Sequence, residues 1–327
     1  MLPQSSLTNL YHIYSTAYPN ITKRTNGIYD FITMAESRGI KAFCRQSFES
    51  LKNDPFLVEK QIIQYILKSK SLRLDLKYLS RYTKEMGAKI VQNGTNPIVL
   101  VDELLGYTLQ GFFVAVYSYA DNQDLLIRKQ CFTKMFEFLD LQGRRRMLAT
   151  YKKANESDEW RLLPTKLMHL AADTYWCAWT FVIGHELYHT QHWKKESSIE
   201  DELLADAFGY EIFLHMIDEQ KKGHMDSELT VYYDYLYLAP MMLMEYYKLL
   251  DFFKKLIGKT EIQSTHPEPE KRQEQLFALF ETHVPDDMDT REGNGVFNVF
   301  LDVIDEFREQ LEIKWEKGDF QTGNWEF

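Results

Sequence analysis

Two histidines and a glutamate stand together in the segment FVIGHELYH, which starts at Phe181. His185 and His189 are four residues apart, so on an α-helix both imidazoles project from one face at the separation needed to bind one Zn²⁺ ion. Glu186 is then placed to take a proton from the metal-bound water, the general-base role in metal-assisted hydrolysis. Apolar flanks predict that this helix is buried, and Gly184 predicts close approach by a neighbouring segment.

A catalytic zinc ion takes three protein ligands and a water molecule, so two histidines leave the site one ligand short. A third histidine at the spacing HExxHxxGxxH is absent, because His192 and Lys195 occupy the last two defined positions of that motif. The metzincin class is therefore excluded. His192 itself is best explained as an exposed residue in the last turn of the helix.

A second helix is predicted in the downstream segment SSIEDELLADAFGY. A capping box opens it, formed either by Ser197 with Glu200 or by Ser198 with Asp201. Both acids are candidate metal ligands. As first-turn acids that complement the helix dipole, however, they are already explained, which favours a ligand further along the helix.

The favoured third ligand is Glu202, which shares a helix face with Asp206 at the i, i+4 spacing. Glu202 can ligate the metal. Asp206, one turn on, can accept a hydrogen bond from the far nitrogen of a ligating histidine and so fix its tautomer. The predicted site is thus His185, His189 and Glu202 as ligands, with Asp206 supporting them.

Composition narrows the remaining classes of function. The chain has 327 residues, with 38 Lys and Arg against 48 Asp and Glu, a net charge of −10. A chain with this net negative charge lacks the positive field that neutralises phosphate groups, so we expect no nucleic-acid binding. For the same reason we expect no binding to an anionic membrane surface. The longest uncharged stretch before the histidines, residues 104–120, is shorter than the roughly twenty residues of a membrane span.

The first residues of the sequence and its three cysteines lead us to expect a cytoplasmic location. The first residues show no signal-peptide pattern. Cys44, Cys131 and Cys177 are scattered and form no CxxC pair, which fits reduced core thiols. The cofactor expected is therefore Zn²⁺ held by histidine and carboxylate, without thiolates.

The fold class predicted is mainly α, an α+β fold with a small sheet edging the cleft. Strand candidates are residues 97–101 and 112–119, although 104–120 also fits a buried helix. The aromatic run over residues 231–247 is expected to be core rather than cleft lining. Three regions are predicted, namely an N-terminal accessory helical region (1–95), a core that holds the zinc site (96–285) and a C-terminal helix with a tail (286–327).

Three sequence islands resemble one protein family. HELYH, ELLAD and the later STHPEPEKR are similar to the gluzincin zinc metallopeptidases, specifically the family of the CAAX prenyl protease and the heat-shock protease HtpX. The resemblance covers roughly residues 165–285. It implies a gluzincin-like core and a peptide or protein substrate. Because family members are often membrane-embedded, this chain would be a variant without a membrane span.

Carried over to this chain, the resemblance places His266 and Arg272 near the active site. His266 would then stabilise the oxyanion of a tetrahedral intermediate. Each has a plainer alternative, since His266 precedes Pro267 at a helix start and Arg272 can form a structural ion pair.

The function expected is zinc-dependent hydrolysis of peptide bonds, with Glu186 as the general base. The main alternative is a catalytically silent or structural zinc site in a partner-binding scaffold. A structural site has no use for the glutamate and normally closes with a fourth protein ligand. A third possibility is a protease blocked by its own aromatic tail, residues 318–327.

Overall fold

The computed structural model describes most of the chain after residue 95. The described residues are 64, 66, 68, 77–81, 88–93, 96–144, 165–192, 198–222, 236–258, 267–283 and 290–318. The chain divides into two compact units, one made of Met1–Leu105 and Arg146–Leu163, the other of Gly106–Arg145 and Pro164–Phe327.

The first unit contains a mixed three-stranded sheet, with strands β1 (Lys77–Arg81), β2 (Ala88–Asn93) and β3 (Asn96–Asp102) in the order β1-β3-β2. The central strand β3 is parallel to β1 and antiparallel to β2. Only two residues separate β2 from β3, the length of a tight hairpin connection. β3 covers the strand candidate 97–101, and the placement of a sheet at the edge of the cleft stays a prediction.

Helices make up the described part of the second unit, and the first of them starts three residues before this unit. Within the described ranges they are α1 (Glu103–Asp121), α2 (Leu125–Arg144), α3 (Thr165–His192), α4 (Ile199–Lys222), α5 (Ala239–Leu256), α6 (Pro269–His283) and α7 (Thr290–Glu316). The predicted mainly α class is confirmed for this part of the chain. None of the described helices is both long enough and apolar enough to cross a bilayer.

The second strand candidate, residues 112–119, is wrong because this segment lies inside helix α1. All residues from 111 to 119 are buried. With no exposed face, the helix shows no polar stripe at a period of 3.6 residues, so its pattern cannot be told from that of a buried strand. The helical alternative for residues 104–120 is the one observed.

Helix α3 runs through the interior of the second unit and packs against α4 and α5. Helix α5 also contacts α2, α6 and α7, and α6 in turn packs on α4. Every residue of α3 from 177 to 187 is buried. Burial of large side chains such as Trp179 and Phe181 contributes roughly 1.5–3 kcal/mol each and anchors the helix that carries the histidines.

Candidate metal centre

Helix α3 carries His185, Glu186 and His189, as the spacing predicted. His185 and Glu186 are buried. The His189 side chain is 19% exposed against 6% for His185, so the open side of the group lies at His189. In the apolar flank that predicted burial of this helix, Trp176 is half-buried, and the others are buried, namely Trp179, Phe181, Val182, Ile183 and Leu187.

The start of α4 is set by a side-chain cap. The Ser198 hydroxyl accepts a hydrogen bond from the Asp201 backbone N–H at 3.1 Å, and the Asp201 carboxylate accepts bonds from the Ser198 hydroxyl (2.8 Å) and N–H (3.2 Å). This is the capping box with Ser198 of the two that were predicted. Asp201 is therefore occupied at the helix start, and Glu200 beside it is exposed.

Glu202, the residue after the capping Asp201, faces the two histidines. Its Oε2 lies 3.3 Å from Nε2 of His185, and its Oε1 lies 3.4 Å from Nε2 of His189. The two Nε2 atoms are 3.3 Å apart. Among the described residues, His185, His189 and Glu202 form the one group of three or more side chains arranged to hold a metal ion, without the rivals Glu200 and Asp201.

Two glycines allow α3 and α4 to approach this closely. A Cβ on Gly184 would lie 2.9 Å from the Cα of Gly209, and a Cβ on Gly209 would lie 2.9 Å from the backbone nitrogen of His185. Both distances are shorter than real Cβ contacts. The predicted close approach at Gly184 is thus confirmed, and it occurs one residue before the first histidine.

A chain of polar contacts starts at Nδ1 of His185, the ring nitrogen that does not face Glu202 and His189. The Oδ1 of Asp206 lies 2.8 Å from Nδ1 of His185. Arg272 on α6 donates to Asp206 through Nε at 2.8 Å and through Nη2 at 2.6 Å, a bidentate ion pair. The Asp206 carboxylate can thereby accept the Nδ1 proton of His185 and orient the ring with Nε2 toward Glu202.

The electrostatics of the group favour positive charge. Burial disfavours the imidazolium of His185, but its contacts with Asp206 and Glu202 outweigh this and raise the pKa of His185 to about 9. For Asp206, burial acts to raise the pKa, but the ion pair with Arg272 outweighs it and lowers the pKa of Asp206 to about 2. Asp206 is therefore a buried carboxylate that stays ionised, as a permanent partner of His185 must be.

Glu186 has a different environment from the other two carboxylates. Its burial raises the pKa of its carboxyl group to about 8, although the neighbouring His185 acts in the opposite direction. A carboxyl group with this pKa is mostly protonated at neutral pH, and a cation close to it favours the ionised form. The general-base role of Glu186 stays a prediction.

Several predicted residues are not placed at this group. His266 lies outside the described residues, as do the side chain of His192 and the tail from residue 319. Tyr237 and Tyr246 of the aromatic run are buried, and their hydroxyls donate to Asp218 (2.7 Å) and Thr108 (3.1 Å), respectively. The prediction that the run belongs to the core is confirmed for these two tyrosines.

Sequence reasoning missed two residues that shape the group. Gly209 was not singled out, although a glycine inside each of two helices is a signal for a close crossing. Gln275, three residues after Arg272, donates from Nε2 to the backbone oxygen of Leu203 at 2.7 Å. No motif marks this glutamine, because its partner is a backbone atom of a distant helix.

Comparison of the chain with protein-family models, with curated proteins and with solved structures finds no match. The resemblance to the gluzincins accordingly stays a prediction from three sequence islands.

Proposed function

We propose that this chain is a zinc-dependent metallopeptidase in which His185, His189 and Glu202 bind Zn²⁺. The observation that carries the proposal is the convergence of two imidazole nitrogens on one carboxylate. The two Nε2 atoms lie 3.3 Å apart, and those of His185 and His189 lie 3.3 and 3.4 Å from Oε2 and Oε1 of Glu202, respectively. Zinc bonds of about 2.0–2.1 Å in tetrahedral geometry require ligand atoms about 3.3–3.4 Å apart, a separation that the two imidazole nitrogens have.

The chemistry of the donor set supports the same metal. Two imidazole nitrogens and one carboxylate suit zinc, whereas Ca²⁺ and Mg²⁺ favour sites made of oxygen alone. Three protein ligands are the number used in catalytic zinc sites, which keep a fourth position for water or substrate. Among the described residues no fourth histidine, cysteine or acid joins the group, which favours a catalytic over a structural site.

The reaction proposed is hydrolysis of a peptide bond. Zn²⁺ held by His185, His189 and Glu202 would act as a Lewis acid that polarises the carbonyl group and lowers the pKa of a water molecule. Glu186 accepts a proton from the attacking water on its carboxylate and then gives it to the leaving nitrogen. A cation held by His185 would favour the ionised carboxylate of Glu186, the form that accepts the proton. Asp206, held by Arg272, can accept the Nδ1 proton of His185, which leaves Nε2 as the nitrogen that would bind the metal.

The finer parts of the proposal come from the sequence. The resemblance to the CAAX prenyl protease and HtpX family, which covers roughly residues 165–285, supports a peptide or protein substrate and an oxyanion role for His266. A cytoplasmic location is supported by Cys131 and Cys177, which are both free and buried. A buried free thiol is typical of a reducing compartment.

Metal analysis combined with a hydrolysis assay tests this function. The purified full chain is treated with a chelator, reloaded with Zn²⁺, and incubated with a mixture of unstructured peptides that is followed by mass spectrometry. We expect one zinc per chain and cleavage that the chelator abolishes and zinc restores. A chain that binds no zinc would refute the proposal, and bound zinc without cleavage would favour the structural alternative.

A further inference from the structure

Helix α6 holds helix α4 at two points. Arg272 donates to the side chain of Asp206, and Gln275 donates to the backbone oxygen of Leu203. The two donors are three residues apart on α6, and their two acceptors are three residues apart on α4. Gln275, the later of the two donors, contacts Leu203, the earlier of the two acceptors. The two helices therefore run antiparallel where they touch.

Two such contacts constrain α4 more than either could alone. The ion pair at Asp206 fixes this side of α4 at one point. The bond at Leu203 fixes it at a second point, on the residue directly after Glu202. The carboxylate of Glu202 is buried, so it has little room to reorient if the backbone that carries it shifts.

The opposite face of α6 is tied to α5. Gln273 donates from Nε2 to the backbone oxygen of Met241 at 3.1 Å and to Oε1 of Glu245 at 2.8 Å. Glu245 is buried and also accepts a bond from Lys248 at 2.8 Å. Since α6 is fixed on this side, it can serve as a rigid support for α4 on the other.

We propose that Gln275 is a positioning residue of the metal centre, holding the α4 backbone at Leu203 so that Glu202 meets His185 and His189. The inference rests on the proposed metal site and extends it to a residue that no motif marks. A carbonyl oxygen has two lone pairs, so Leu203 can accept the bond from Gln275 without giving up its place in the helix. Loss of the amide donor is expected to loosen Glu202 and weaken metal binding.

The test compares Gln275→Met, which keeps the length of the side chain but removes the donor, with wild type. The control is Glu274→Gln, because Glu274 is the exposed neighbour on the same helix. For each full-length protein the Zn²⁺ dissociation constant is measured by competition with a chromogenic chelator, and the visible spectrum of the Co²⁺ form is recorded. Unfolding is followed separately in excess chelator.

We expect zinc binding about tenfold weaker in Gln275→Met, the size typical for residues that support metal ligands, and an altered Co²⁺ spectrum. Glu274→Gln should match wild type. Gln275→Asn, which keeps the amide but shortens its reach, is a second variant should Gln275→Met fail to fold, and it should weaken zinc binding too. An unchanged zinc dissociation constant in a folded Gln275 variant would overturn the inference, even if its stability fell. Failure of wild type to bind zinc would instead refute the proposed function.

Discussion

Gly184 and Gly209 meet at the crossing of α3 and α4 with no room for a side chain between them. A Cβ on Gly209 would lie 2.7 Å from the backbone oxygen of Phe181, and one on Gly184 would lie 2.9 Å from the Cα of Gly209. The obstructing atoms belong to the backbone and cannot turn away. The short side chain of Asp206 reaches Nδ1 of His185 because the two backbones are this close.

Replacement of Gly209 by alanine should therefore separate the two helices. The added methyl group would overlap backbone atoms of Phe181 and His185, and overpacking of this kind costs about 1–3 kcal/mol. Chemical denaturation should show a free energy of unfolding lower by about that amount, and metal analysis should show reduced zinc content.

Gly295→Ala is the matched control, because a Cβ at Gly295 on α7 meets no atom within 4 Å. In an exposed helical position alanine should be neutral or stabilising by up to about 1 kcal/mol. Equal effects of the two substitutions would contradict the close-approach argument.

Glu186→Gln should separate metal binding from catalysis. Glutamine keeps the size of the side chain but cannot take up a proton, so zinc content should stay at the wild-type level. Peptide hydrolysis should fall by about 10²–10⁴-fold, the usual contribution of a general base. Turnover within a few-fold of wild type, measured at equal zinc loading, would rule out the proposed role of Glu186.

Glu202→Ala should remove the third ligand and lower the zinc stoichiometry. Ser198→Ala is the control in the same helix, because it removes the cap while leaving Glu202 in place. The cap variant is expected to lose about 1 kcal/mol of stability and to retain most of its zinc. Unchanged zinc stoichiometry in Glu202→Ala would return Glu200 or Asp201 to consideration as ligands.

Arg272→Met should destabilise the fold strongly, because it leaves the fully buried carboxylate of Asp206 without its cation. Removing one partner of a buried ion pair typically costs about 3–5 kcal/mol. The partly exposed pair of Lys254 with Asp251 offers a comparison, since Lys254→Met should cost less than about 1 kcal/mol. Similar unfolding free energies for the two variants would show that Arg272 does not act through a buried charge.

Local features of the site could be predicted well from the sequence. The spacing of His185 and His189 places both imidazoles on one face of a helix, and the structure has this arrangement. Ser198 and Asp201 form a cap that sequence rules recognise because all its atoms lie within one turn. Glu202 was preferred over Glu200 and Asp201 because those two are explained as first-turn acids of the helix. Glu202 is the acid found beside the histidines.

The sequence did not predict features whose hydrophobic periodicity is hidden by burial, or contacts between residues that lie far apart in the chain. Residues 112–119 were a strand candidate because helix α1 has no exposed face there to show its period. The bond between Gln275 and Leu203 joins residues 72 positions apart through a backbone oxygen, which carries no signature in residue type.

By itself, the order of residues determined which side chains share a turn of helix, because the period of the α-helix converts a spacing of four residues into a common face. That was enough to name two imidazoles, a carboxylate between them and a capped helix with further acids. Only the tertiary structure decided that α3 and α4 cross at two glycines and that α6 supports α4 from behind. Such contacts depend on the packing of backbones in three dimensions, which sequence spacing does not encode.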